Sequence, residues 1–354
     1  MSSDSFSLAT VGLFASAAWT LFFAAVYVSS APAAQRKLLL WPFAIFRFVV
    51  STDLWWKKST IDAALKLRRE VRRKKIYFIR HAESQWNVLF NRGFGISFFP
   101  NLIQAIVEEV QLLPTGDSIF IDSALSTGGI AQSISLKNWI ETMSSDPSGL
   151  FLKSGEPGKV AFCCSNLRRT ASTAAIALSG RLLRFKDERI HALSCMQELT
   201  RNFDGVALAV SGNPPRPSPL ERTLPELQPV VGEVFSRFEG VGNNGTQPLY
   251  GYDGLNRFNE WCKWCFDSPA ARDKHTIVAT GHSLWVREFM KTFLPCSNSH
   301  NIKKSKIVNC GVVSFDLVDC GDGEFAVDPN SIRSVVGGFE GKENGYGVEM
   351  EKLL

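Results

Sequence analysis

Four apolar residues in succession, Ile76 to Ile79, end abruptly in Arg80 and His81. A run this short and this apolar, with a basic segment before it, reads as a buried strand, and His81 then stands where that strand stops. The C-terminal edge of a parallel sheet is where α/β proteins place ligand chemistry, because the strands end there and helix N-termini point backbone N–H groups into the same space. A histidine at that edge is within reach of a substrate.

Three later runs repeat the pattern. Lys159 to Cys164 (KVAFCC) leads into Ser165-Asn166-Leu167-Arg168-Arg169-Thr170, and helix-favouring residues follow through Leu183. Arg169 thus falls near a strand end and a helix N-terminus, where a dianion is welcome. Ile190 to Met196 alternates like a third strand and is followed by Gln197-Glu198-Leu199. His275 to Thr280 is a fourth strand, ended by Gly281-His282-Ser283, with LWVREFMKTFL continuing as a helix.

The string Arg80-His81-Ala82-Glu83-Ser84-Gln85-Trp86-Asn87 resembles the signature of the histidine phosphatase superfamily, the phosphoglycerate mutase-like enzymes, with Ala82 where that signature usually has Gly. Asp122 to Ser133 resembles the family's D-x-x-L-T-x-x-G-x-x-Q segment, with Ser126 for the usual Thr, and marks a helix start. Ser165 to Ala174 matches its S-x-L-x-R-[AT]-x-x-T-A pattern, Gly281-His282-Ser283 its second histidine motif, and Asn309 to Val313 its late N-C-[GS]-V-V strand. The resemblance covers about residues 75 to 320. It implies a three-layer α/β/α sandwich with a mostly parallel sheet, and a phosphoryl-transfer site. In that site His81 is the nucleophile, and Arg80, Arg169 and a protonated His282 hold the phosphoryl oxygens. Glu198 is the proton donor with Asp204 in reserve, and Asn87 binds the phosphate. It implies no cofactor and no metal, since the arginines neutralise the phosphate. A phosphoglycerate mutase uses the same residues, so the motifs do not separate it from a phosphatase acting on phosphorylated small molecules or phosphoproteins. A silent scaffold that binds phosphorylated partners is the alternative outside enzymology.

The N-terminal portion is of another kind. No charged residue lies between Asp4 and Arg36, and Leu8 to Val28 is an apolar run of 21 residues, roughly 32 Å as a helix and long enough to span a bilayer. A cleaved signal peptide is the competing reading, supported by Ala31, Ala33 and Ala34, but the run lacks a basic segment before it. With Arg36 and Lys37 just after the run, the positive-inside rule places the bulk of the chain in the cytosol, on a membrane that the sequence leaves open.

Residues 36–75 hold twelve Lys/Arg against three acids, a balance of +9. Since the chain totals +5 and the first 35 residues carry −1, residues 76–354 come to −3. The division expected is therefore an anchor at 1–35, a basic juxtamembrane segment at 36–75, and a catalytic region from 76 with insertions near 88–121 and 205–250.

Leu38 to Val50 is too short to cross and contains Pro42 and Arg47, so it is expected in the lipid headgroup region, the alternative being that it packs on the catalytic domain. Ser59 to Lys75 is expected as a basic helix suited to anionic lipid, and no second motif supports nucleic acid. Asn101 to Leu113 reads as an amphipathic helix in an insertion over the active site, and Leu224 to Phe238 as helix-like. The eight cysteines form no disulfide or zinc framework: Cys163 and Cys164 are adjacent on a strand and point to opposite faces, and Cys262-x-x-Cys265 lies on an apolar helix.

Overall fold

The computed structural model describes residues 32–51, 63–90, 98–142, 146–246 and 253–340. The apolar run Leu8–Val28 lies outside these residues, and among those described no helix is long and apolar enough to cross a membrane.

Eight strands form one mixed sheet: β1 (Arg72–Arg80), β2 (Val160–Ser165), β3 (Ile190–Leu193), β4 (Phe238–Glu239), β5 (Thr276–Gly281), β6 (Val312–Asp319), β7 (Phe325–Val327) and β8 (Arg333–Val336). Their order is β4-β3-β2-β5-β1-β6-β7, with β8 also paired to β6. β1 runs parallel to β5, β5 to β2, β2 to β3 and β3 to β4, whereas β6 runs antiparallel to β1, β7 and β8. The four strands read from the sequence therefore end on the same edge.

Along β1 the side chains alternate between two cores. Ile76 and Phe78 join Trp261, Trp285 and Phe289, while Tyr77 and Ile79 join Ile130, Trp139 and Phe162. The first layer belongs to the helices α5 (Gly254–Asp267) and α6 (Ser283–Phe293), the second to α3 (Thr127–Thr142) and α4 (Arg168–Ala177). A sheet apolar on both faces must be covered on both, which gives the three-layer sandwich. Cys163 and Cys164 do fall on opposite faces, and Cys262 and Cys265 are buried core thiols.

The remaining long helices, α1 (Pro32–Val50) and α2 (Phe98–Leu112), lie beside the site end of the sandwich. α1 packs on the catalytic domain rather than standing apart from it. Leu40 and Ala44 meet Ile121 and Val206, Arg36 donates to the Leu208 and Ala209 carbonyls, and the Arg47 guanidinium donates to the Thr200 carbonyl. The packed alternative for Leu38–Val50 therefore holds for the face that carries Lys37 and Arg47, both of which find partners inside the protein, while Leu39, Ile45, Phe46, Phe48 and Val49 face outward.

The basic segment also differs from expectation. Its described part is a short helical turn, Ala63–Arg69, after which Arg72 already begins β1, pairing with Asp319 of β6. Carboxylates on β6 and nearby turns explain why the strand wins: Arg72 bridges Asp319 and Asp267, Arg73 bridges Glu70, Asp316 and Asp328, and Lys75 reaches Asp316. Lys74 donates to the carbonyls of Ala271, Arg272 and Lys274. Cations matched in this way are not an open lipid-binding stripe, and the boundary expected at residue 76 falls inside β1. Residues 224–238 form broken helical turns ending in β4 rather than one helix. Pro225 and Pro229 withhold backbone donors there.

Candidate active site

β1, β2 and β5 deliver Arg80, Ser165 and His282 to one end of the sheet, each at or just beyond the last paired residue, and Glu198 reaches the same end five residues after β3, past the helical turn Ser194–Met196. His81 follows β1, and its backbone N–H donates to the Gly281 carbonyl at the end of β5 (3.0 Å). The two histidine rings meet edge to face, their centroids 5.0 Å apart. Both are buried.

The loop after His81 is tied down on both sides. The Ala82 N–H donates to Thr173 Oγ1 on α4 (3.0 Å), and the Glu83 N–H donates to Gln132 Oε1 on α3 (2.9 Å). Gly129 lets α3 come this close, since a Cβ there would stand 1.9 Å from the Glu83 carbonyl oxygen. Ser126 occupies the usual Thr position. Its hydroxyl accepts from the Gly129 N–H and bonds the Glu83 carboxylate, so the helix start and the catalytic loop brace each other.

His81 Nδ1 lies 2.7 Å from the Ala82 carbonyl oxygen. A carbonyl only accepts, so Nδ1 carries the proton and Nε2 carries the lone pair. Burial, with Arg169 and Arg80 nearby, holds the His81 pKa well below its ordinary value and favours a neutral ring. His282 is depressed for the same reasons, burial first, then Arg169, His81 and Arg80. Burial and these neighbours favour a neutral His282 ring, whereas the sequence expectation has it protonated against a phosphoryl group. Two guanidiniums repel a third cation until a dianion arrives to offset them. His282 Nε2 pairs with Ser165 Oγ at 3.0 Å, and its Nδ1 faces Glu198 Oε2 at 3.7 Å.

Glu198 is buried, and desolvation pushes its pKa up to about 7 against the opposing pull of Arg169. Its Oε1 accepts from the backbone N–H groups of Leu199 and of Trp285 at the start of α6, both at 3.1 Å. Arg169, at the N-terminal end of α4, donates from one terminal nitrogen to the Asp204 carbonyl (2.8 Å) and lies 3.3 Å from the Asp204 carboxylate with the other. Arg80 donates to the Ile307 carbonyl and to the Glu340 carboxylate. The Nε groups of Arg80 and Arg169, with His282 Nδ1 and Thr280 Oγ1, are buried without a hydrogen-bonding partner among the described residues. Donors left over in this way, beside two neutral histidines, are a receptor for an anion.

The side-chain carbonyl of Asn87 accepts from the hydroxyl and backbone N–H of Ser84, so its observed contacts hold the loop that follows His81. Asp204 is placed as the partner of Arg169 rather than as a second donor. Sequence reasoning overlooked two contributors. Ser165 was legible as the first residue of the S-x-L-x-R pattern, but Glu340 lies in no motif and reaches Arg80 only through the fold.

His81, Glu198 and His282 each offer one ligand atom, all within 4.8 Å of one another, a spacing that a divalent cation can bridge. The surrounding charge disfavours it, because the same guanidiniums that depress both histidine pKa values repel a metal ion.

No family model and no curated protein matches this sequence. Among solved structures the chain is similar to a phosphoserine phosphatase from Entamoeba histolytica, 16% identical over 74% of this chain and 98% of that one, with a TM-score of 0.35. It is similar to a phosphoglycerate mutase from Bacillus anthracis, 13% identical over 76% and 95%, with a TM-score of 0.37. It is also similar to a mycobacterial glucosyl-3-phosphoglycerate phosphatase, 11% identical over 73% and 98%, with a TM-score of 0.34.

Proposed function

We propose that this chain is a phosphatase of the histidine phosphatase superfamily that hydrolyses phosphomonoesters through a phosphohistidine, and that residues 1–31 hold it at a membrane with the catalytic domain cytosolic. The observation that carries the chemistry is the pairing of His81, whose Nε2 lone pair is set free by the bond from Nδ1 to Ala82, with the unpartnered Nε donors of Arg80 and Arg169. The motifs on which these residues stand support the family reading.

The reaction follows from the geometry. His81 Nε2 attacks phosphorus and the ester oxygen leaves with the proton of Glu198, whose pKa of about 7 keeps a large protonated fraction at neutral pH. Arg80, Arg169 and His282, which gains a proton as the dianion binds, hold the phosphoryl oxygens. Water then attacks phosphohistidine while Glu198 accepts its proton, and phosphate departs. Each cation needed to offset the phosphate is supplied by a side chain, and no metal is required.

The test is acid-labile labelling. Full-length protein incubated with a radiolabelled phosphomonoester should acquire phosphate that survives base and is lost in acid, and His81→Ala should lose both the label and turnover. Labelling that persists in His81→Ala would exclude this mechanism. Chelator should leave the rate of the wild type unchanged. Running 3-phosphoglycerate beside phosphoserine and phosphopeptides separates hydrolysis from mutase chemistry, since only the former releases inorganic phosphate in proportion to turnover.

A further inference from the structure

Two helices of this molecule are built inside out. On α1 the cations Lys37 and Arg47 are 0% and 1% exposed, while Leu39 and Val49 are 63% and 70% exposed, with Ile45, Phe46 and Phe48 also turned outward. On α2 Glu109 is buried, accepting from the Ser118 hydroxyl and the Ile119 N–H (2.6 Å), while Phe99, Ile103, Ile106, Val107 and Val110 face outward. No charged residue of either helix falls in the exposed class; Glu108 of α2 is half-buried and accepts from Gln104 Nε2 at the surface (2.9 Å), and the exposed polar residues of α2, Asn101, Gln104 and Gln111, are neutral. Ten of the fourteen exposed large hydrophobic residues among the described residues lie on these two helices.

The two faces are neighbours. Lys37 Nζ donates to the carbonyl of Leu112, the last residue of α2, and to that of Asp117, and it lies 4.0 Å from Glu109. Trp41 of α1 shares one cluster with Leu102 and Leu112 of α2. A helix beside water turns its charges out and its apolar stripe in, and two adjacent helices that do the reverse have an apolar medium outside them.

We infer that the joint outer face of α1 and α2 lies in the interfacial region of a lipid bilayer. The occupant is argued from the chain itself. The residues outside the structure at this end, 1–31, contain one charged residue, Asp4, and the 21-residue apolar run ends at Val28, four positions before α1 begins at Pro32. A run of that length suits a bilayer and would bring α1 to its surface, and a largely uncharged, aromatic-bearing face is what the headgroup–acyl boundary accepts. The contact would sit one aromatic layer from the site, because Trp41 and Trp86 both meet Phe203 edge-on, beside Asp204 and Arg169. This inference rests on the membrane placement proposed above, but not on the phosphatase chemistry.

The experiment uses the full chain in phosphatidylcholine vesicles whose acyl chains carry bromine, with Cys296, the single exposed cysteine among the described residues, replaced by serine. A fluorophore is attached in turn at Val49→Cys, Ile103→Cys and Val107→Cys, and for reference at Lys186→Cys, an exposed position far along the chain from either helix. Flotation is scored first. A chain that does not float with vesicles overturns the membrane placement and this inference together, and leaves the phosphatase reading standing.

In floating protein, bromolipid should quench positions 49, 103 and 107 several-fold more than position 186. Equal quenching at all four would overturn the bilayer contact. So would shielding of 49, 103 and 107 from both bromolipid and aqueous iodide, which would mean that residues 1–31 cover the face. Excimer formation between pyrenes at Ile103→Cys without lipid quenching would mean that a second copy covers it, and would overturn the inference as well.

Discussion

The strand-end site and the α1–α2 face both bury ionisable side chains, and they do so in opposite ways. On the helices Lys37 is held by two carbonyls and Glu109 by a hydroxyl and an amide. At the site the charges are held with groups left over, the Nε donors of Arg80 and Arg169 and the Nδ1 of His282. Burying a charge costs several kcal/mol in either place, roughly, unless partners offset it. Complete pairing of this kind suits a structural role, and donors left over where the parallel strands end suit an anion. The distinction lies in hydrogen-bond accounting, since burial is the same in both.

The largest effect that would sharpen this contrast is at Arg169. Removing a preorganised cation that meets developing charge costs about 10²–10³-fold in kcat. Arg169→Ala should show a loss of that order with the fold intact by circular dichroism; a change in KM alone would mean that Arg169 serves ground-state binding.

Glu198 comes next, because its two expected effects have opposite signs. Glu198→Gln cannot protonate a leaving alkoxide, so hydrolysis of sugar or serine phosphates should fall by about 10²–10⁴-fold while activated aryl phosphates change little. For the wild type, kcat on alkyl esters should fall as pH rises through about 7, where the acid form is lost, and this limb should vanish in the variant. The wild type's stability falls over the same rise in pH, but here the variant gains where in activity it loses. A carboxyl raised in the fold from about 4.5 to about 7 favours its protonated form, so the stability it contributes is present at low pH and declines as pH rises across that window. Glu198→Gln, neutral throughout, should therefore match wild type in Tm near pH 4 and exceed it at pH 8. A Tm below wild type at pH 8 would mean that the carboxylate is a structural acceptor, like Glu109, and the contrast between the two regions would fail.

The smallest effect is at Glu109 itself. Glu109→Gln keeps the shape and loses the charge, and it should cost about 1–3 kcal/mol in urea unfolding with no change in kcat. A cost near zero would show that the buried carboxylate is idle.

Much of the site was legible from residue order alone. Ile76–Ile79, Lys159–Cys164, Ile190–Met196 and His275–Thr280 are apolar enough to be strands, and although the third is strand only to Leu193 before a helical turn, all four run parallel, so the residues that follow them converge. That is why His81, Arg169, Glu198 and His282 were found together. What escaped was any contact made by a group far away in sequence and outside a motif. Glu340 reaches Arg80 across 260 residues, and the Trp285 N–H reaches Glu198 across 87.

The helix expected over Ser59–Lys75 failed for a related reason. Its periodicity was read locally, whereas Arg72 to Lys75 are drawn into β1 by acids on β6 more than 240 positions later. The lowered pKa of His282 was likewise not legible, because burial and the cations around the ring set it, and the sequence gives neither.

The sequence by itself determined the strands, the two faces of the sheet and the identity of the reacting groups, because periodicity and chain order are local properties that parallel pairing converts into proximity. Only the tertiary structure decided which charges are spent and which are kept. Lys37 looks like a juxtamembrane cation in the sequence and proves to be a buried strut, while the Nε groups of Arg80 and Arg169 are left without partners among the described residues. The physical reason is that a buried polar group is defined by its partners, and hydrogen bonds that span tens to hundreds of residues are fixed by packing rather than by spacing.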